Sequence, residues 1–204
     1  MYWLLWLMLI KEKGKIISPY LISEFLHHSS LKKELINLIE ETKIAKALTT
    51  KVNTVSKCDY DWSKDTTRLY FKKLINPLGD HLTKVFKHLG YNICEIKNLW
   101  FQRYLNNDIH DWHNHGACQW TGVYYLELPK DESLRTQAIH PFDQKSKIDM
   151  PVKEGDILIF PSHTLHRAAR NKTNKKKIII SFNMDGVTTE AQYPEDYKTI
   201  KDMN

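Results

Sequence analysis

The chain has 204 residues, 42% hydrophobic and 26% charged, values that exclude a disordered tail or a fibre and suit one domain with a real core. Thirty Lys and Arg against 24 Asp and Glu give a net charge of +6, which permits an anionic partner without demanding one. Three widely spaced cysteines, Cys58, Cys94 and Cys118, form no CxxC, which argues against a disulfide scaffold or a structural zinc knot and for a reducing compartment, the cytoplasm.

Tyr2 to Ile10 is continuously apolar, but a membrane span needs about 20 such residues. Lysines follow the run rather than precede it, and no small-residue cleavage site comes after, so it does not read as a secretory signal. The expectation is no transmembrane segment, with the run serving as a buried edge element or a hydrophobic docking segment. Ser23 reads as a helix cap ahead of Leu31, Leu35, Leu38 and Ile39, which share a helical face. Residues 49–62 lack helical period and read as a loop with some extended character. A second helical segment is expected from near Asp65, interrupted at Asn76-Pro77 and restarted after Gly79-Asp80, with Leu82, Val85, Phe86 and Leu89 on one face before Gly90. Residues 1–92 are thus expected to be mainly helical support.

From Ile93 the texture changes to β-branched and aromatic runs. Asn98–Tyr104, Trp120–Glu127, Asp156–Phe160 and Lys177–Asn183 read as strands separated by turn-like stretches. Helices first and short strands afterwards predict an α+β fold, with an antiparallel sandwich or barrel over 93–186 and a tail over 187–204.

Ten histidines call for selection by spacing. In an extended segment, residues two apart share a face, so His113 and His115 can converge on one point. His166 lies beyond the strand Asp156–Phe160, which would run back alongside. Two ligands from one strand end and one from a distant strand build a facial metal site with an open side. HxH alone would suit a pair of surface histidines; the downstream pattern favours the metal. His27, His28, His81 and His88 read as surface or packing residues, as do His110 and His163 unless they reach the substrate face. Trp112 and Trp120 read as aromatic packing around the motif.

Arg103-Tyr104, His113-Asn-His115, Thr121-Gly-Val-Tyr-Tyr-Leu126, Gly155-Asp-Ile-Leu-Ile-Phe-Pro161, His166, Lys177 and Ser181 before Phe182-Asn183 follow one another in this order. The stretch Arg103 to Asn183 resembles the double-stranded β-helix (jelly-roll, cupin-like) core of iron(II)- and 2-oxoglutarate-dependent oxygenases. It is closest to the prolyl-hydroxylase-like branch and to short oxygenases of bacteria and phages. The resemblance implies Fe(II), O2 and 2-oxoglutarate, with ascorbate supportive, and hydroxylation of a C–H bond with release of succinate and CO2. By the same resemblance, His113 and His166 match iron ligands. Lys177 matches the cation for the far carboxylate of 2-oxoglutarate, Tyr125 the tyrosine that donates to that carboxylate, and Tyr104 a tyrosine lining the cosubstrate pocket; Ser181 falls in the same region. A dianion in a dry barrel does need a fixed cation and neutral donors. If Ile178 and Ile180 face one way, Lys177, Ile179 and Ser181 face the other, and only one of Tyr124 and Tyr125 can look into the barrel.

The sequence departs from the family at His115, where Asp or Glu is usual. Either His115 is a third neutral ligand, or it yields to a carboxylate such as Asp111, or the site is inactive. Two other functions compete: a three-histidine cupin-type dioxygenase without 2-oxoglutarate, and a barrel that only binds. Lys177, Tyr125 and Tyr104 argue against the first, and the three histidines together against the second. The resemblance points to a peptide, protein or small-molecule substrate. Nucleic acid is permitted by charge but not favoured, since no second arginine cluster follows His166. Loops 106–111 and 129–149 are expected to shape the substrate mouth.

Overall fold

The computed structural model describes residues 19–188 except 142. The apolar run Tyr2–Ile10 and most of the expected tail fall outside the described residues. Among the described residues eleven strands form two antiparallel sheets, and two helices cover one of them. The larger sheet has the order β1-β9-β6-β11-β4-β3-β2, built from β1 (Leu21–Glu24), β2 (Lys46–Thr49), β3 (Thr54–Cys58), β4 (Ile93–Tyr104), β6 (Trp120–Glu127), β9 (Asp156–Pro161) and β11 (Lys177–Val187). The smaller has the order β5-β10-β7-β8, from β5 (His110–His113), β7 (Thr136–Ile139), β8 (Lys147–Asp149) and β10 (His166–Ala168). The helices are α1 (His28–Glu41) and α2 (Leu69–Lys87). This is the jelly-roll architecture expected from the strand-rich second half.

Alternation along β11 sorts its side chains into two cores. Ile178, Ile180, Phe182 and Met184 face outward and pack with Leu35 and Ile39 of α1 and Leu74, Leu78, Leu82 and Phe86 of α2. Ile179 faces inward with Val123, Tyr125, Leu158 and Phe160. Of the two tyrosines it is therefore Tyr125 that faces into the barrel, while Tyr124 belongs to the helix-side core and hydrogen-bonds His28. Gly122 stands opposite Phe182 in the register, and a Cβ there would sit 2.1 Å from the phenyl ring, so only glycine lets that ring lie flat across β6.

The first 92 residues contribute three strands as well as the helices, and these strands extend both edges of the larger sheet. Ser23 is not a helix cap. It lies in β1, paired with Ile157, and its hydroxyl is 2.9 Å from His81 Nε2; α1 starts at His28 after His27, without a side-chain cap. Pairing with the edge of β9 satisfies more backbone groups than a cap could. Nor does Asn76-Pro77 interrupt α2, which runs unbroken through Pro77. Pro inside a helix costs about 3 kcal/mol. Burial of Leu74, Leu78, Leu82 and Phe86 on one stripe, at about 1.5–3 kcal/mol each, outweighs that cost. Part of the stretch read as a loop, 54–58, is strand β3, drawn into order by pairing with β4. Among the described residues no helix is long and apolar enough to cross a membrane.

Candidate metal and cosubstrate site

The register that builds the smaller sheet also builds the site. His166 of β10 stands directly opposite His113 of β5, so two imidazoles far apart in sequence meet across one strand pair, with ring centroids 4.3 Å apart. The chain then leaves β5, and the backbone N–H of His115 donates to the Ser162 carbonyl at the end of β9, which turns the third imidazole toward the other two. His115 stacks with His166, centroids at 5.2 Å and an interplanar angle of 15°, and also with Trp100, centroids at 5.8 Å. One potential ligand atom from each of His113, His115 and His166 falls within 4.8 Å of the others, and among the described residues no carboxylate joins this group.

The hydrogen bonds orient the rings for metal binding. His113 Nδ1 donates to the Asp111 carbonyl and His166 Nδ1 to the Thr164 carbonyl; a carbonyl can only accept, so both Nε2 atoms carry free lone pairs. Asn183 hydrogen-bonds the His115 side chain in the same supporting role. Burial lowers all three pKa values, that of His115 to about 4, so the rings are neutral at pH 7, as ligation requires. Asp111, the carboxylate that could have replaced His115, holds His113 by its backbone, and its side chain lies 3.9 Å from Arg167 instead.

A narrow inner cavity runs from this cluster along the barrel, lined by Tyr104, Thr136, Ile179 and Ser181 among others. Just beyond lies Lys177, 2% exposed, its Nζ 5.3 Å from the Tyr104 ring centroid and 5.9 Å from that of Tyr125. Its ammonium donates to the Leu134 carbonyl and has no carboxylate within ion-pair range among the described residues. Burial alone pushes its pKa down to about 7. The Tyr104 hydroxyl is buried without a partner, whereas the Tyr125 hydroxyl donates to Thr136 Oγ1 at 2.6 Å. An uncompensated cation beside an orphaned hydroxyl is the environment that a carboxylate completes. The residues present therefore fit both a divalent metal and a dicarboxylate. Of the two tyrosines, Tyr104 has the spare donor.

The sequence left His110 a surface or packing residue unless it reaches the substrate face, and it gave Trp100, Gln102 and Asn183 no role at the site. His110 stacks on His113 with centroids 3.9 Å apart and accepts from Gln102 Nε2; burial pushes its pKa down to about 3. Asn183 could have been found, since Lys177, Ile179, Ser181 and Asn183 alternate along one face of β11. Trp100 and Gln102 follow the same rule on β4. Trp120 packs against Phe86 in the helix-side core, and Trp112 lies under the Arg167 guanidinium, 4.4 Å from its ring centroid. The loop 129–149 contributes β7 and β8, and it supplies Thr136 to the inner cavity rather than residues to the outer one described below.

Residues 98–183, from β4 to β11, match the family described as "Putative 2OG-Fe(II) oxygenase". The sequence matches none of the curated proteins. Among solved structures the fold is similar to a prolyl-4-hydroxylase of Pseudomonas putida (TM-score 0.61, 10% identity, 84% of this chain and 94% of that one). It is similar to a prolyl hydroxylase of Trichoplax adhaerens in complex with a hypoxia inducible factor peptide fragment (TM-score 0.61, 14% identity, 81% and 82%). It is also similar to HygX of Streptomyces hygroscopicus with nickel, 2-oxoglutarate and hygromycin B bound (TM-score 0.63, 11% identity, 84% and 84%). Fold, family match and histidine cluster together define an oxygenase. The stretch from β4 to β11 is thus that of an iron(II)- and 2-oxoglutarate-dependent oxygenase core, and the residues in it fit Fe(II) and 2-oxoglutarate as cofactor and cosubstrate.

Proposed function

We propose that the chain hydroxylates a C–H bond, with His113, His115 and His166 holding Fe(II) and Lys177, Tyr104 and Ser181 receiving 2-oxoglutarate. Bound there, the iron and 2-oxoglutarate supply the oxidising power that places one oxygen atom of O2 into the substrate while 2-oxoglutarate leaves as succinate and CO2. The carbonyls of Asp111 and Thr164 and the Asn183 side chain keep the imidazoles in one tautomer and one orientation. Lys177 gives the far carboxylate a fixed positive charge in a dry setting, Tyr104 adds a neutral donor, and Tyr125 packs beside the ammonium with its hydroxyl committed to Thr136. The observation that carries the reading is the pairing of three neutral imidazoles with a buried cation that has no anion of its own.

That same cation speaks against a cupin-type enzyme working without 2-oxoglutarate, which would bury Lys177 to no purpose. For the substrate we favour a prolyl or other peptide residue, on the likeness to the two prolyl hydroxylases, with a small molecule as the alternative suggested by HygX. The test is succinate formation from 2-oxoglutarate by the Fe(II)-reconstituted protein, alongside His166→Ala. The wild type should bind one Fe(II) and form succinate, and the variant should do neither. Full iron content in His166→Ala would sink the assignment.

A further inference from the structure

A second, wider cavity of about 350 Å³ opens on the other side of the histidines. It shares Trp100, Gln102, His110, His113 and His115 with the inner one, so whatever occupies it faces two of the three clustered imidazoles. None of its twelve lining residues is Asp, Glu, Lys or Arg. They include instead four carboxamides, Asn98, Gln102, Asn114 and Asn183, and the aromatic pair Trp100 and Tyr60. The two aromatic rings meet edge to face at 5.2 Å, with Tyr60 half exposed at the mouth and Trp100 buried beneath.

The carboxamides are not equally free. Gln102 is held by His110 and Ser181, and Asn183 by His115 and Thr121. Asn98 Oδ1, by contrast, is buried and accepts nothing. A buried acceptor without a donor costs about 1–3 kcal/mol, which a ligand bringing an N–H or O–H would recover once the carboxamide, whose residue lines the cavity, turns its oxygen toward it. A charged group would find no counter-ion in this lining and would lose its hydration uncompensated.

We propose that this cavity receives the substrate and selects an uncharged group that presents an N–H or O–H donor to Asn98 Oδ1 and a flat face to Trp100. The chemistry is that of a carboxamide or a hydroxylated ring. The division has a physical logic: the inner cavity leads toward Lys177, whose charge attracts the dianionic cosubstrate, while the outer cavity is lined by no cationic side chain, and the bound dianion offsets the charge of the metal that its imidazoles would hold. This inference rests on the oxygenase reading above.

The test uses the full chain loaded with Ni(II) and 2-oxoglutarate, so that no turnover occurs, and saturation-transfer NMR against matched probes: blocked asparagine and aspartate, blocked glutamine and glutamate, glucose and glucuronate. The net charge of +6 would by itself favour the anionic probes, so neutral preference is not a trivial outcome. We expect at least one neutral probe to bind about tenfold or more tighter than its anionic partner, and Asn98→Leu to weaken that binding about fivefold. Which pairs respond separates amide from sugar. If Asn98→Leu fails to fold, Asn98→Asp keeps the volume and should shift preference toward cationic glucosamine. Equal or tighter binding of the anionic probes, no binding of any neutral probe, or indifference to both Asn98 substitutions overturns the proposal. Failure of the oxygenase reading would show separately, as absence of succinate from the Fe(II) protein whichever probes bind.

Discussion

Two buried cations, Arg68 and Lys177, are treated in opposite ways by the chain around them. Arg68 sits just ahead of α2, 5% exposed, and every part of its guanidinium is engaged. It bonds Asp59 and the Tyr70 hydroxyl through Nη1, the carbonyls of Ser63 and Leu99 through Nη2, and that of Asp65 through Nε. Asp59 is completed in turn by Tyr70 and by the backbone N–H of Phe101 in β4. Lys177 is as deeply buried, yet it has one carbonyl and two aromatic rings for company. A charge that builds the molecule carries its counter-ion in the sequence. A charge that serves a ligand, the role proposed for Lys177, leaves that place to the ligand.

The contrast can be broken at either end, and the architectural end should respond most. Asp59→Asn leaves Arg68 buried without an opposite charge, which costs about 3–5 kcal/mol. Urea unfolding should show this as a lowered midpoint at unchanged slope. Lys177→Met should behave the other way: its midpoint should match or exceed that of the wild type, since an unpaired buried ammonium is replaced by an apolar chain of similar reach. Its affinity for 2-oxoglutarate should instead fall by more than about tenfold, because a buried charge-assisted pair is worth about 2–5 kcal/mol. A stability loss like that of Asp59→Asn would make Lys177 structural.

The pH dependence sharpens the same point. Burial depresses the Lys177 pKa from 10.5 to about 7. Between those values the unfolded chain holds a proton that the native one has released, so this residue's penalty on stability is full below pH 7 and is relieved as pH rises toward 10.5. Cosubstrate binding has the opposite sign. A carboxylate wants the ammonium charged, so above pH 7 binding must take up a proton. Affinity for 2-oxoglutarate should therefore fall by up to about tenfold per pH unit above 7, and Lys177→Met should flatten the profile. Calorimetry in buffers of different ionisation enthalpy would register the proton uptake directly, and its absence would mean that Lys177 is not the partner.

How much of this is legible in the sequence depends on which force positions each group. Strand alternation is local, so the opposite facing of Lys177 and Ile178, and of Tyr125 and Tyr124, could be read from β11 and β6 alone. The HxH spacing nominated His113 and His115 for the same reason, and the matched order of motifs supplied His166. Register was not legible. Nothing local says that His166 stands opposite His113, that Ser23 pairs with Ile157, or that Asn98 is left without a donor; each depends on which strands become neighbours. Pro77 misled because its local cost is real but smaller than the burial along α2. The resemblance gave Tyr125 the carboxylate, yet its hydroxyl donates to Thr136, a residue from a different sheet.

His110 offers the finest version of the comparison, since it stacks on a proposed ligand without belonging to the cluster. Its ring lies 3.9 Å from that of His113 at 20°, and Gln102 fixes it from the far side. His113 is already held by the Asp111 carbonyl, so loss of the stack should cost less than loss of a direct partner, for which metal affinity falls about 10–100-fold. His110→Ala should weaken Fe(II) or Co(II) binding by about tenfold or less, read from competition with a chromogenic chelator. His110→Phe keeps a flat ring and discards the bond to Gln102, so it should stay within a factor of about two of the wild type if the stack is what orients His113. Should His110→Phe fall as far as His110→Ala, the path from Gln102 through His110 would be the positioning element. Gln102→Leu should then reproduce the loss with the stack intact. If instead both His110 variants bind metal as the wild type does, His113 is oriented by Asp111 alone, and His110 belongs to the wall of the outer cavity.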